Sequence, residues 1–562
     1  MLSRRDFLQV SAATAALVGA DGLSRRAEAQ TIRQDDLLRF RPMGQITLLH
    51  IADLHAQLMP LWFREASVNL GVGDARNRPP HLTGRALLDA FRLRPGAIDA
   101  YALTGDDFAA LARRYGRVGG ADRIATLVKA IRAERPGRVL LLDGGDTWQG
   151  SYTALKTRGA DMVRFAKLLG VEAMTGHWDF TYGQDRVKEL IGTLGFPFLA
   201  GNVRDTTWNE DAFPGDTVFE RRGLRIGVIG QAYPYTPIAN PRHFVPDWSF
   251  GIQEERMAKR VAALRKGGAD LIVLLSHNGF DIDRKLAGRV KGIDVILTGH
   301  THDALPQVVK VGRTLLVASG SHGKFLSRLD LDIRDKSIAD YRFRLIPVLA
   351  NAIAPDAEMA ALVKDIRAPY AAELNRVVGK AGALLYRRGN FNGSFDDLIC
   401  RALMEERDAE IALSPGFRWG GTLLPGEDIR VEDIYDQTSI TYPSAYRTEM
   451  TGAYLKEVLE DVADNLFHPD PYYQQGGDMV RAGGLGYTVD INQPIGNRIS
   501  DLTLLKDGKS VDPGRRYVVA GWASVAEGVE GPPIWELVER YVARKKVIDL
   551  PEENRNIRVV GA

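Results

Sequence analysis

Seven residues of two types recur in a pattern suited to holding cations. Asp53 and His55 form an Asp-x-His triplet, Asp146 follows Gly144-Gly145, and His177 follows Thr175-Gly176. His277 stands alone, and His300 and His302 form a His-x-His pair after Thr298-Gly299. Carboxylate oxygens and imidazole nitrogens without a thiolate suit manganese, zinc or iron. Each fragment alone is weak, because an Asp-x-His triplet arises readily by chance. The joint pattern is stronger, since five of the ten histidines fall in these places. The set predicts a site for hard or borderline cations. His50, His81, His243, His322 and His468 lack such a context and are read as structural or surface residues.

Each candidate ligand lies just past a short apolar run, and these runs are the elements that must position it. Segments 46–51, 139–142, 224–229, 271–275, 295–297 and 315–317 read as buried strands, and 171–174 as a shorter one. In α/β sheets, ligand-binding residues collect beyond the carboxyl ends of strands. Segments 121–133, 154–169 and 254–265 have helical spacing. The alternation predicts a layered α/β domain. Segment 71–115 breaks the rhythm with mixed Arg, Pro and Gly and reads as a surface insertion. Segment 355–377 reads as a helical connector, and 452–467 as the clearest helix of a second, α+β domain. The expected organisation is a leader over 1–29, a catalytic domain over 30–350, a linker over 351–378 and a C-terminal domain over 379–562.

The first residues read as a twin-arginine export signal. Arg4-Arg5 precedes Phe7-Leu8, an apolar stretch follows, and Ala27-Glu28-Ala29 is a small-x-small cleavage site. The mature chain would begin near Gln30, in the periplasm. The stretch is too short to span a bilayer, and no later run reaches the length of a membrane anchor. Lys plus Arg is 73 against 71 for Asp plus Glu, so there is no basic footprint for nucleic acid. Cys400 is the single cysteine, so no intrachain disulfide can form even in an oxidising compartment.

The order Asp53-x-His55, Gly145-Asp146, Gly176-His177, His277, Gly299-His300-x-His302 resembles the calcineurin-like metallophosphoesterases, and within them the 5′-nucleotidase branch. The resemblance covers essentially the whole mature chain. It implies a four-layer α/β/β/α domain followed by a nucleotidase-type α+β domain that binds substrate. It also implies that Asp146 bridges two cations. Asp53, His55 and His302 would complete one site, and His177, His277 and His300 the other.

Departures from the nucleotidases narrow the resemblance. That branch carries Gly-Asn-His-Glu-Phe-Asp where this chain reads Gly176-His177-Trp178-Asp179-Phe180-Thr181. The Asn ligand becomes His177, while the catalytic His and its Asp partner become Trp178 and Thr181. The aromatic pair that stacks the base is also missing. Ser444 stands at one Phe position, and segment 474–481 replaces the loop of the other. These features, with Ala520-Gly521-Trp522-Ala523, resemble the SoxB thiosulfohydrolases of periplasmic sulfur oxidation.

That resemblance implies a dimanganese centre and a substrate carried as a cysteine S-thiosulfonate on the C-terminal arm of SoxYZ. Trp178 is then read as a catalytic-site residue at the lost dyad position, with channel shaping or packing as its other roles. Arg418 matches an anion-binding Arg of the nucleotidases and is read as a catalytic and sulfonate-binding residue. Arg447, Asp478 and Arg481 are expected to line the same cleft. A broad-specificity 5′-nucleotidase or phosphodiesterase is the alternative enzyme, and an inert metalloprotein that binds a partner is the alternative class.

Overall fold

The computed structural model describes residues 32–391, 393–551 and 556–561. The export signal expected over 1–29 lies outside the described residues. Among the described residues, no helix is long and apolar enough to cross a membrane.

Two mixed sheets face each other in the first domain. The chain enters the first sheet with β1 (Ile46–Ile51), β2 (Val139–Asp143) and β3 (Ala173–Met174). It then builds the second with β4 (Asp216–Arg221), β5 (Leu224–Gln231), β6 (Leu271–Ser276), β7 (Val295–Thr298), β8 (Val309–Val311) and β9 (Thr314–Ala318). It returns to the first with β10 (Phe325–Arg334) and β11 (Ser337–Pro347). The orders are β11-β10-β1-β2-β3 and β8-β9-β7-β6-β5-β4. β1 and β2 pair in parallel, as do β5 with β6, β6 with β7 and β7 with β9.

Side chains alternate along a strand, and both faces of these strands are covered. Leu48, Leu140 and Leu142 meet Val228, Val273, Leu275 and Leu297 between the sheets. Leu49 and Leu141 point the other way, onto helix Ala121–Glu134 through Leu127 and Val128. On the far side, Ile272, Leu274 and Ile296 pack against Val261 and Leu286, from helices Glu254–Lys266 and Phe280–Arg289. The layers therefore run helix, sheet, sheet, helix. Burial on both faces is why these strands read as unbroken apolar runs rather than alternating ones.

Two expectations need correction. Segment 154–169 is two helices, Tyr152–Thr157 and Ala160–Leu169, because Arg158 and Gly159 take left-handed backbone between them. Segment 71–115 is not a surface insertion: it folds into helices Gly84–Phe91, Ile98–Leu103 and Phe108–Tyr115, whose Leu87, Tyr101 and Leu111 join the first domain's largest apolar cluster. Helix Ala357–Arg367 of the expected connector also packs into that cluster, through Met359, Val363 and Ile366.

The C-terminal part carries β12 (Ile411–Ser414), β13 (Ala445–Thr451), β14 (Arg481–Gly483) and β15 (Arg516–Trp522) in the order β13-β15-β12-β14. Helices Ser394–Glu406 and Ile534–Lys545 cover that sheet through Leu398, Ala402, Leu537 and Val538. Trp178, from the first domain, is part of the same apolar cluster.

Candidate metal centre

The loops beyond β1, β2, β3, β6 and β7 converge, and all seven candidate ligands meet there. Two overlapping groups form: Asp146, His177, His277 and His300, and Asp53, His55, Asp146 and His302. Within each group the donor atoms all lie within 4.8 Å of one another. Asp146 belongs to both. Residues separated by up to 249 positions in the chain (302 minus 53) thus share one site. None of the seven is more than 9% exposed.

The donors suit cations. Asp53 Oδ2, both ring nitrogens of His177, His277 Nε2 and His302 Nδ1 are buried without a hydrogen-bond partner. The Nε2 atoms of His55 and His302 point at each other across 3.0 Å. Buried acceptors left unpaired are costly, and divalent ions satisfy them. His277 Nδ1 donates to the Gly144 carbonyl at 2.6 Å, which fixes its tautomer and turns Nε2 toward Asp146 at 3.2 Å. A proton competes with cations for these donors. Burial opposes charge on His277, but Asp146 and Asp53 outweigh it and raise the ring to about 10. Burial lowers His177 to about 4, against the pull of Asp146. For Asp146 burial favours the neutral acid, yet His177 and His277 hold the carboxyl well below its usual range.

The backbone is strained where it presents these groups. Asp53, His55, Asp146, His300 and His302 all have φ between 47° and 76°. Left-handed backbone costs a non-glycine residue of order 1–3 kcal/mol and persists only when surroundings enforce it. Here backbone hydrogen bonds enforce it: Asp53 N–H donates to the Gly145 carbonyl, His55 N–H to the Asp146 carbonyl, and His300 N–H to Asp53 Oδ1, each at 2.8 Å. Gly299 leaves room for the crowding, since a Cβ there would lie 3.0 Å from His277 Nδ1.

Some supporting residues were not evident from spacing. Asp179 accepts from the N–H groups of Asp146 (3.0 Å), Thr147 (3.2 Å), Trp148 (2.9 Å) and His177 (3.1 Å). Burial raises its carboxyl to about 6. Its place in the Gly176–Thr181 motif was the available signal. Gln149 Oε1 lies 3.4 Å from His55 Nδ1, and its amide donates to the Ser439 carbonyl of the second domain. His322, read as structural, stacks on Phe63 and receives the Gly420 N–H. Tyr233 stacks against His300 with ring centres 4.2 Å apart.

The expected substrate residues separate. Arg418 lines a small cavity beside His300, but it already donates to the Thr301 carbonyl (3.2 Å), the Gly477 carbonyl and Asp478 (3.3 Å). Asp478 is buried between Arg418, Asn390 and Arg481. Arg481 is sealed against Asp396 and the Gly389 carbonyl. Both are internal struts, not cleft-lining groups. Arg447 is exposed on β13 and is spent on the carbonyls of Arg407 and Asp408. The structure does not bring it to the site. Trp178 is 7% exposed, edge-on to Phe417 and Trp419, so its side chain packs; its backbone N–H holds Asp146 Oδ1 at 2.7 Å.

Comparison with known proteins agrees with this geometry. Residues 46–304 match the calcineurin-like phosphoesterase model, and residues 377–537 match the 5′-nucleotidase C-terminal domain model. The sulfate thiohydrolase SoxB of Thermus thermophilus, solved with glycerol, is 37% identical over 93% of this chain and 98% of that one, with a TM-score of 0.90. The chain belongs to the SoxB family. It is a metal-dependent hydrolase of the metallophosphoesterase superfamily. The 5′-nucleotidase of Mus musculus is more distant, at 25% identity over 69% of this chain and 73% of the mouse protein. A 5′-nucleotidase precursor from Thermus thermophilus shares the fold at 22% identity, covering 92% of this chain and all of that one, with a TM-score of 0.72.

In this SoxB-family chain Trp178 and Thr181, expected from the resemblance at the nucleotidase dyad positions, lie in the seam between domains. Beside the packed Trp178, Thr181 Oγ1 donates to Thr441 Oγ1 at 2.7 Å, and Thr441 Oγ1 donates to the Thr181 carbonyl at 2.9 Å.

Proposed function

We propose that the chain is a periplasmic thiosulfohydrolase that releases sulfate from a cysteine S-thiosulfonate carried on the C-terminal arm of SoxYZ, with two manganese ions as cofactor. One contrast carries the reading. The seven ligands form two complete quartets, while Trp178 and Thr181, at the dyad positions that ester hydrolysis uses, are engaged in domain packing. Likeness to a protein described as a sulfate thiohydrolase supports it.

The balanced reaction is R–S–S–SO3⁻ plus water giving R–S–S⁻, SO4²⁻ and two protons. Water adds to the sulfonate sulfur, the S–S bond to that sulfur breaks, and its electron pair leaves on the persulfide. The two cations would lower the pKa of water and neutralise sulfonate charge. Asp146, shared by both quartets, would hold both ions, and the Trp178 backbone N–H orients it. A persulfide is a fairly stable anion, so it needs less help from a general acid than an alkoxide does. The absence of a histidine at position 178 fits that chemistry. Arg418 has further N–H groups beside His300 that could meet a sulfonate oxygen. The leader over 1–29 supports twin-arginine export, which moves folded cargo and would let the ions be loaded first.

The test is sulfate release from a thiosulfonate-loaded carrier by manganese-loaded protein, with phosphate release from AMP measured in parallel. Sulfate release by the native chain, falling to background in Asp146→Asn, is expected. Phosphate release at enzymatic rates without sulfate would overturn the reading in favour of a nucleotidase.

A further inference from the structure

The C-terminal domain reaches into the metal centre through the segment that replaces a nucleotidase base-binding loop. The Gln475 carbonyl accepts the Tyr233 hydroxyl at 2.5 Å and lies 3.0 Å from His300 Nε2. A carbonyl can only accept, so this contact places the ring proton on Nε2 and leaves Nδ1 as the lone pair available to a cation. Tyr233 is flanked by two ligand rings, with centres 4.0 Å from His177 and 4.2 Å from His300. Gly476 lies so close that a Cβ there would sit 2.4 Å from His300 Nε2. Arg418 ties the same loop to the ligand turn, from the Gly477 carbonyl to the Thr301 carbonyl.

We infer that the 474–477 loop of the C-terminal domain is a positioning element for one of the two cations. It holds His300 in the tautomer and orientation that complete the Asp146, His177, His277 and His300 site. The other quartet, of Asp53, His55, Asp146 and His302, has no contact with Gln475 or Tyr233 among the described hydrogen bonds and ring contacts. Retention of one ion therefore depends on the seating of this loop, and retention of the other does not. The inference rests on the metal centre and not on which substrate it hydrolyses.

The test follows loss of both ions from the loaded full-length protein to an excess of chelator. Tyr233→Phe removes one hydroxyl and keeps the ring. Gly476→Ala pushes the loop off His300. Tyr442→Phe serves as control, because its hydroxyl joins the domains elsewhere, at the Ala239 carbonyl. Loss of interactions that orient a ligand typically costs 10- to 100-fold in metal affinity. Release of one ion about tenfold faster or more in Tyr233→Phe and Gly476→Ala is expected, with the second ion within about twofold of native and both ions native-like in Tyr442→Phe. Native release of both ions in both test variants, equal acceleration of both ions, or the same change in Tyr442→Phe would overturn the inference.

Discussion

The carboxylate of Asp179 is surrounded by backbone N–H groups from the two loops that carry Asp146 and His177. An amide cannot replace it, because one end would turn N–H toward N–H. Asp179→Asn should therefore cost about 3 kcal/mol, the worth of one or two hydrogen bonds to a charged group. It should also reduce bound metal, with urea unfolding and metal analysis as the measurements. Native stability with full metal content would end the positioning role given to Asp179. Trp178 separates packing from catalysis in a similar way. Trp178→Ala should lose about 3–5 kcal/mol, whereas Trp178→Phe should keep most sulfate release; loss of turnover in a stable Trp178→Phe protein would give the indole a role in the chemistry. The sequence made the ligands legible because each directly follows a strand, so local spacing carried the information. It did not distinguish Arg418, which reaches the site's edge, from Arg447, which caps carbonyls elsewhere. Which way a loop side chain faces depends on distant partners such as Thr301 and Asp408.

Most strands of the first domain could be read from their runs, because burial on two faces leaves an unbroken apolar signature. The break at Arg158-Gly159 was hidden, since apolar spacing continues across it. Segment 71–115 was misjudged because its short helices contribute only a few apolar residues each to a core supplied mainly by others. Helix Val431–Thr438 offers a test at this scale. Burial, with Glu432 beside it, raises Asp433 from an ordinary 3.8 to about 7. The folded chain therefore keeps a proton that the unfolded chain releases. The stabilising effect is complete below pH 3.8 and is lost progressively as the pH rises to about 7. Asp433→Asn keeps an acceptor for the Arg430 N–H, 2.7 Å from the carboxylate, but cannot ionise. Its melting temperature relative to the native protein should climb between pH 4 and pH 7 and level off above. A difference that is flat with pH would show that Asp433 titrates normally.

Across the whole molecule, the domains share Trp178, the Thr181–Thr441 pair, the Gln149–Ser439 contact and the Gln475 loop. They should melt together. Calorimetry is expected to give one transition that moves up with added manganese, by about 2.7 kcal/mol at a hundredfold excess over Kd. Two separated transitions, with only the first sensitive to metal, would show that the seam is weak. None of these contacts could be read from the sequence, because each joins segments 175 or more residues apart with no motif linking them. The sheet order has a further outcome during synthesis. β15, near the end of the chain, is an interior strand between β13 and β12. β12 and β14, which pair with each other, are both complete 39 residues ahead of Trp522 (522 minus 483), a delay of roughly 2–8 s at ordinary elongation rates. Through that interval the nascent chain has half a sheet with an open edge, the kind of surface on which chaperones act.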